Sequence, residues 1–190
     1  MQENLQLNNF SLISRLFGNL FYRQPTDPIL SGVFAWLNQG NLSQVWALNE
    51  DNNSQKALDS LQMAIDLTLL DKEYQKLFGE SGNVATEISA YDISVEEFHD
   101  FRQVRGLPEA ENIDHFAMLL LTASWLEDNA DSLSAQQELF ERFLLPCAAK
   151  FLVKVETQAT LPFYRSLAYL TREILSAMAD ELDSEVLKNH

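Results

Sequence analysis

The chain has 190 residues, 46% hydrophobic and 22% charged, so it is long enough to bury a substantial core and is not disordered as a whole. Its formal net charge of −15, from 13 basic and 28 acidic residues, opposes binding to nucleic acid or to an anionic membrane and favours a basic partner. A single cysteine, Cys147, excludes an internal disulfide and a cysteine-based zinc site, and it favours a reducing compartment.

The sequence predicts neither a secretory signal nor a membrane span. The first fourteen residues contain no Lys or Arg, which a secretory signal carries near its start. The longest uninterrupted apolar run, residues 116–121, is far shorter than the roughly 20 residues needed to cross a bilayer. We therefore expect a cytoplasmic protein without stable membrane insertion.

Helical signals begin in the first quarter of the chain. The first helix should end near Gln24, because Pro25 disfavours the helical conformation of the residue before it. Asp27 followed by Pro28 predicts a capped second helix, and Gly40 suits its C-terminal end. Apolar residues at helical spacing support both helices: Phe10, Ile13, Phe17, Leu20, Phe21, Leu30, Val33, Phe34 and Leu37.

The next stretch is predicted to contain two loops around a third helix. Residues 41–53 are polar and predict a loop. Asp71 should cap a short continuation of the third helix, whose apolar residues are Leu58, Leu61, Ile65 and Leu69. Residues 79–83 contain two glycines and predict a second loop, and residues 84–93 lack a clean periodicity and should be irregular.

Capping residues mark the helices of the second half. Ser94 and Glu97 have the spacing of a capping box and predict a helix that runs to Arg105. Residues 106–113 contain Gly and Pro and are the best candidate for a linker or hinge between two helical halves. The following helix, about 114–128, is apolar on nearly all sides at its start, as expected for a helix that is buried or binds a partner.

Two further helices complete the predicted fold. Ser134 opens the first of them, and Pro146 should kink it because proline removes a backbone donor. The last helix should open at residues 160–162, with a charged tail from Asp180 that is expected to fray. The sequence therefore predicts an all-α protein, a compact single-domain globule of about seven to nine helices over residues 1–190.

The segment ENIDH, residues 111–115, holds the main concentration of chemically versatile side chains. Asp114 has an ordinary role available as a helix cap, which would contribute about 0.5–2 kcal/mol. His115 in the first turn would then be a partly buried histidine that is hydrogen-bonded to a carbonyl, and spacing alone favours this structural interpretation. The functional alternatives are the polar edge of a binding site and a small hydrolase with His115 as its base.

No pattern in the sequence indicates a metal ion or another bound cofactor. Zinc sites usually need three or more protein ligands placed together, and the chain has three dispersed histidines: His99, His115 and His190. The loop at 79–83 lacks the Lys-Ser/Thr pair of a phosphate-binding loop. Cys147 lies in an apolar helical stretch and is best interpreted as a small buried hydrophobic residue.

Several segments match one family pattern in the same order along the chain. The strongest is an acid, a two-residue gap and Asp-His ahead of an apolar helix, as in residues 111–115 followed by Phe116. The weaker matches are residues 20–25 (LFYRQP), 74–78 (YQKLF), 143–146 (FLLP) and 163–164 (FY). With these segments the chain resembles the TorD/DmsD family of redox-enzyme maturation chaperones, and within it the YcdY-like branch.

The resemblance implies a TorD-like helical fold and a non-enzymatic role. Family members bind a client enzyme before its cofactor is inserted, and in the better-known branches the client is a molybdoenzyme precursor held by its twin-arginine signal peptide. The implied partner is thus a client metalloenzyme. The implied assembly is a monomer or a dimer that exchanges domains at residues 106–113. Weak guanine-nucleotide binding is also described for the family, but no motif here supports it.

The resemblance also implies a peptide site. A twin-arginine leader is cationic at one end and apolar further along, so Glu111 and Asp114 are expected to bind the arginines by charge-assisted hydrogen bonds. His115 should order Asp114 or contact the peptide. The apolar part should lie in a groove lined by Tyr74, Phe78, Phe116 and Trp125. Because residues 84–89 keep little of the element that follows YxxLF in the family, the alternative is a client that lacks a twin-arginine leader.

Overall fold

The computed structural model describes residues 3–46, 48, 51–129 and 133–188, and that part of the chain contains α-helices and no β-strand. The all-α prediction is therefore confirmed. A π-helical turn (Phe140–Leu144) joins α8 to α9 into one continuous rod, so nine separate helices lie within the described ranges. The helices are α1 (Glu3–Tyr22), α2 (Ser31–Asn38), α3 (Asn41–Val45), α4 (Asn52–Gln62), α5 (Leu67–Phe78), α6 (Val95–Val104), α7 (Ala117–Asn129), α8 (Leu133–Leu139), α9 (Leu145–Gln158) and α10 (Pro162–Lys188).

Two sets of helix contacts build the core. Helix α1 packs along α7, and the long α10 packs against α4 and α9. Fully buried aromatic side chains connect α1, α7 and α9. The rings of Phe116 and Phe151 stack with their centroids 4.2 Å apart, and Phe21 meets them edge-on at 5.6 and 5.4 Å. Such pairs stabilise beyond the area that they bury, and the region around residue 116 therefore belongs to the core.

No helix in the described ranges combines the length and the apolar character that crossing a membrane requires.

Several predicted boundaries are confirmed by their caps. Asp27 accepts the N–H of Ile29 at 2.9 Å and caps a 3₁₀ turn (Pro28–Leu30) that leads into α2. Gly40 has φ +78° and follows α2, which is the left-handed conformation that glycine adopts most readily. The Ser94 hydroxyl accepts the N–H of Glu97 at the start of α6.

The prediction that residues 41–53 form a loop is wrong for most of the stretch. It contains α3 and the start of α4, and residues 47, 49 and 50 lie outside the described residues. Asp51 initiates α4, because its carboxylate accepts the N–H of Ser54 at 2.7 Å. The polar composition of this stretch therefore reflects caps and solvent-facing helix surface.

The predicted third helix is in fact two helices. Helix α4 ends at Gln62, and Asp66 begins α5 by accepting the N–H groups of Thr68 and Leu69. Asp71 thus lies inside α5 and is not a cap. At the other end of the chain, the charged tail continues α10 as far as Lys188.

Pro146 produces the predicted irregularity as a π-helical turn. The N–H of Leu145 donates to the carbonyl of Phe140, one residue further back than in an α-helix. Pro146 follows at the start of α9, where proline supplies no backbone N–H to the continuous rod.

The segment 106–113 is non-helical, as predicted, and a buried arginine ties it to its neighbours. Arg102 is 8% exposed. Its guanidinium donates to the hydroxyl of Thr122 on α7 and, at 2.7 Å, to the carbonyl of Pro108. Gly106 begins the segment with φ +75°. One side chain therefore connects α6, α7 and the segment between them.

Candidate functional site

A polar pocket of about 710 Å³ opens where the end of α1 meets α5 and the segment that precedes α7. Its volume lies within the range of ligand-binding sites. It unites residues from the first-helix ending, the YxxLF-like element and the acid–histidine segment. The lining consists of Tyr22, Arg23, Gln24, Thr26, Asp27, Pro28, Tyr74, Phe78, Thr86, Asn112 and His115.

Tyr74 forms the wall of the pocket on α5. Its hydroxyl donates to the carbonyl of Tyr22 at 2.9 Å and makes a longer contact of 3.4 Å with the carbonyl of Phe21. Carbonyls at a helix C-terminus lack intrahelical partners, so this contact stabilises the end of α1. Burial raises the pKa of Tyr74 to about 12, and its hydroxyl therefore remains a hydrogen-bond donor at neutral pH.

Arg23 and Asp27 form an ion pair at the turn between α1 and α2. Arg23 Nη1 lies 3.3 Å from Asp27 Oδ2, and Arg23 Nε donates to Asn19 Oδ1 at 3.2 Å. The other carboxylate oxygen of Asp27 accepts the N–H of Ile29. Both oxygens of Asp27 therefore have partners within the protein, and the pair contributes no net charge to the pocket.

His115 caps α7 with its own ring. Its Nδ1 accepts the N–H of Ala117 at 3.0 Å, and the ring of Tyr22 packs against the imidazole edge-on with centroids 5.1 Å apart. Burial lowers the pKa of His115 to about 4, although the charge of Asp114 acts in the opposite direction. The imidazole is therefore neutral at pH 7. The prediction that the His115 ring is hydrogen-bonded to a carbonyl is wrong. Its Nδ1 accepts a backbone N–H, and no described carbonyl accepts a hydrogen bond from the ring.

Asp114 was predicted to cap α7, but it does not. Its carboxylate reaches a different segment, where Oδ1 accepts the N–H of Ser89 at 3.0 Å and Oδ2 accepts the Ser89 hydroxyl at 2.8 Å. The capping role that was expected of Asp114 falls to His115. Asp114 instead anchors the 3₁₀ turn Ile88–Tyr91 to the start of α7.

Backbone hydrogen bonds join the same two segments. The N–H of Ile88 donates to the carbonyl of Asp114 at 2.7 Å, and the N–H of Phe116 donates to the carbonyl of Thr86 at 2.8 Å. The result is one antiparallel bridge between Glu87 and His115. This long-range pairing fixes residues that lack a periodic pattern, and it brings Thr86 to the pocket.

The predicted apolar groove is only partly assembled. Tyr74, Phe78 and His115 line the pocket. Phe116 is completely buried in the core, and Trp125 is half-buried on α7 outside the lining. The structure therefore does not bring these two aromatic residues to the pocket.

The predicted carboxylates do not line the pocket either. Glu111 is exposed, and Asp114 is half-buried and bonded to Ser89. Among the described residues, Asp27 supplies the carboxylate of the lining. The match at residues 20–25 indicates the end of the first helix, but no role in a site was predicted for its residues. The lining residues that the sequence did not identify are Tyr22, Arg23, Gln24, Thr26, Asp27, Pro28, Thr86 and Asn112.

Within the described ranges, no group of three or more His, Cys, Asp or Glu side chains is arranged to hold a metal ion. Cys147 is buried, as predicted. Burial raises its pKa to about 12, so the thiol is protonated at neutral pH.

Comparison with known proteins gives the geometry a family context. The chain is 40% identical over 185 residues to the chaperone protein YcdY of Escherichia coli, covering 94% of this chain and 98% of that protein. The chain belongs to the TorD/DmsD family of redox-enzyme maturation chaperones. A probable Tat proofreading chaperone DmsD of Haemophilus influenzae is 26% identical over 200 residues, covering 98% of this chain and 97% of that family member.

A further relative, an uncharacterized protein of Haemophilus influenzae, is 71% identical over 180 residues and covers 95% of this chain and 98% of its own length. No protein-family model matches the chain. The identities to YcdY and DmsD extend over nearly the whole chain, so the family assignment is not confined to one part of it.

Proposed function

We propose that this protein is a cytoplasmic, system-specific chaperone that binds a client metalloenzyme through the pocket beside His115 and assists its maturation before cofactor insertion. The observation that carries the proposal is that three family-like segments, far apart in the chain, meet at one pocket. Residues 20–25, 74–78 and 111–115 match the family separately, and each contributes to the lining of the same pocket. Proteins of one fold can have unrelated functions, so the meeting of these segments at one site is a stronger argument than the fold itself.

The chemistry of the pocket suits a peptide segment. The lining combines polar residues with two aromatic ones: Gln24, Thr26, Thr86 and Asn112 with Tyr74 and Phe78. In a pocket of this kind a few polar contacts fix the orientation of the ligand, and contact with aromatic side chains increases its affinity. A short stretch of an extended client chain fits this combination.

We propose two kinds of client. One is a molybdoenzyme precursor bound by its twin-arginine signal peptide, which is consistent with the relatives that are Tat proofreading chaperones. The other is a metalloenzyme without such a leader, which is consistent with the higher identity to YcdY. Capture of a leader-deleted client would support the second kind, and loss of capture on deletion would support the first.

The test is affinity purification of the tagged protein from its native cytoplasm. Gln24→Ala/Asn112→Ala alters two exposed lining side chains, and Asn38→Ala/Gln103→Ala is a matched control at exposed positions outside the lining. We expect wild type and the control pair to enrich the same metalloenzyme and the pocket pair to enrich less of it. Equal enrichment by all three proteins would place the binding surface elsewhere and contradict the proposal.

The geometry at His115 supports a non-enzymatic role over a hydrolase. A general base needs a free lone pair directed at the reacting group. The lone pair of Nδ1 already accepts the Ala117 N–H, and the other nitrogen of a neutral imidazole then carries the proton. His115 therefore presents no basic nitrogen to the pocket.

A further inference from the structure

The imidazole of His115 is held in one tautomer. Nδ1 accepts the N–H of Ala117 at 3.0 Å, so a proton on Nδ1 would face another donor. In a neutral imidazole the proton must then lie on Nε2. The edge-on contact with Tyr22 fixes the plane of the ring. His115 is therefore an oriented, neutral hydrogen-bond donor.

The imidazole that carries this donor belongs to the pocket lining. His115 is 6% exposed. No described residue accepts a hydrogen bond from Nε2, yet Nε2 is not among the fully enclosed polar atoms that lack a partner. The small exposed fraction of the side chain therefore includes Nε2. A ligand that supplies an acceptor at this point gains a hydrogen bond that no described residue makes.

The carboxylate of the described lining and the two predicted carboxylates beside it are not available to a guanidinium inside the pocket. Asp27 already bonds to Arg23 and to the N–H of Ile29. Asp114 bonds to Ser89 through both oxygens. Glu111 is exposed and lies outside the lining. Among the described lining residues, a client arginine that entered the pocket would therefore meet the cation Arg23 and no unpaired carboxylate.

We infer that the pocket binds a peptide carbonyl oxygen of the client, which accepts the Nε2–H of His115, and that any leader arginines bind outside it. This inference rests on the proposed chaperone function. A carboxylate acceptor is disfavoured, because the chain carries a net charge of −15 and the cation of the lining is already paired. The peptide group supplies the same acceptor without that repulsion.

The first test needs no client. Protein labelled with ¹⁵N at histidine is titrated with N-acetylglycine N-methylamide, methylguanidinium or acetate at constant ionic strength, and the side-chain ¹⁵N signals of His115 are followed by NMR. We expect the free protein to show the Nε2–H tautomer and the amide to shift its signal saturably. A free protein in the Nδ1–H tautomer would overturn the inference. So would the absence of a saturable amide shift, a shift by methylguanidinium, or tighter binding of acetate than of the amide.

The second test uses the client captured by the wild type. His115→Asn keeps an acceptor for the Ala117 N–H and removes the Nε2 donor, whereas His115→Gln places an amide N–H near the position of Nε2. We expect His115→Asn to weaken binding about fivefold to tenfold, as for one lost hydrogen bond, and His115→Gln to restore part of it. Wild-type affinity of His115→Asn would overturn the inference.

The two proposals fail in different ways. If the wild type captures no client, the proposed function fails, and the amide titration still reports on the pocket. If the wild type captures a client that depends on Gln24 and Asn112 but not on the Nε2 donor, the function stands and the carbonyl inference fails.

Discussion

Replacing Asp114 tests whether its carboxylate holds the protein together or contacts the client. Its two oxygens accept hydrogen bonds from the N–H and the hydroxyl of Ser89 at 3.0 and 2.8 Å. Ser89 is exposed and Asp114 is half-buried, so solvent competes for both bonds and each contributes about 1 kcal/mol. We therefore expect Asp114→Ala to lower the free energy of unfolding by about 2 kcal/mol.

A double-mutant cycle isolates this contact. Ser89→Ala removes only the hydroxyl and should lower the free energy of unfolding by about 1 kcal/mol. In the Asp114→Ala background the same change should cost almost nothing, which gives a coupling energy of about 1 kcal/mol. Urea denaturation of the four proteins at pH 7, followed by circular dichroism, measures all these values.

Client capture completes the test. Because Asp114 holds the segment that carries Thr86 beside the pocket, Asp114→Ala and Ser89→Ala should both reduce capture, in proportion to their effects on stability. The reasoning is refuted if Asp114→Ala abolishes capture at unchanged stability while Ser89→Ala captures normally. That result would mean that Asp114 contacts the client directly.

Three further predictions concern stability. Burial lowers the pKa of His115 to about 4 from its ordinary 6.5, so stability is complete above about pH 6.5 and falls as the pH decreases towards 4. At pH 5 the loss is about 2 kcal/mol, and urea unfolding at pH 5 and 7 should show it in wild type but not in His115→Asn. Phe116→Ala should cost about 3–5 kcal/mol in urea unfolding, because its ring is core; a cost below about 1 kcal/mol would indicate an exposed groove residue. Glu73→Ala should cost about 2–3 kcal/mol, and Glu73→Gln less, because the buried carboxylate accepts two N–H groups and a hydroxyl at the start of α10; equal values for both variants in thermal unfolding would contradict this.

The sequence predicted local features well where a single residue determines them. Asp27, Gly40 and Ser94 act at the expected boundaries, because a cap or a left-handed glycine depends on its immediate neighbours. The predictions were wrong where they rested on polar composition or spacing and not on a specific capping residue. The polar composition of residues 41–53 predicts a loop, although Asp51 caps a helix there. Apolar residues keep a helical spacing across the break between α4 and α5, so the start of α5 at Asp66 was not predicted.

The candidate site was predicted only in part. The acid–histidine segment identified His115, but periodicity could not show that its ring caps α7 or that Asp114 bonds to Ser89. Such side-chain choices depend on which distant segment lies within reach. Phe116 shows the same limit, because an apolar residue beside a functional histidine is equally compatible with a groove and with a core.

By itself the sequence determined the helical class, the helix ends that a single capping residue marks, and the family, because those depend on residue types and on spacing along the chain. The tertiary structure alone decided the composition of the pocket and the direction of each polar group in it. The pocket unites residues from the end of α1, from α5, from the segment at Thr86 and from the start of α7. These residues are brought together by the packing of α1 against α7 and by backbone hydrogen bonds between segments far apart in the chain. Such long-range contacts leave no local pattern in the sequence.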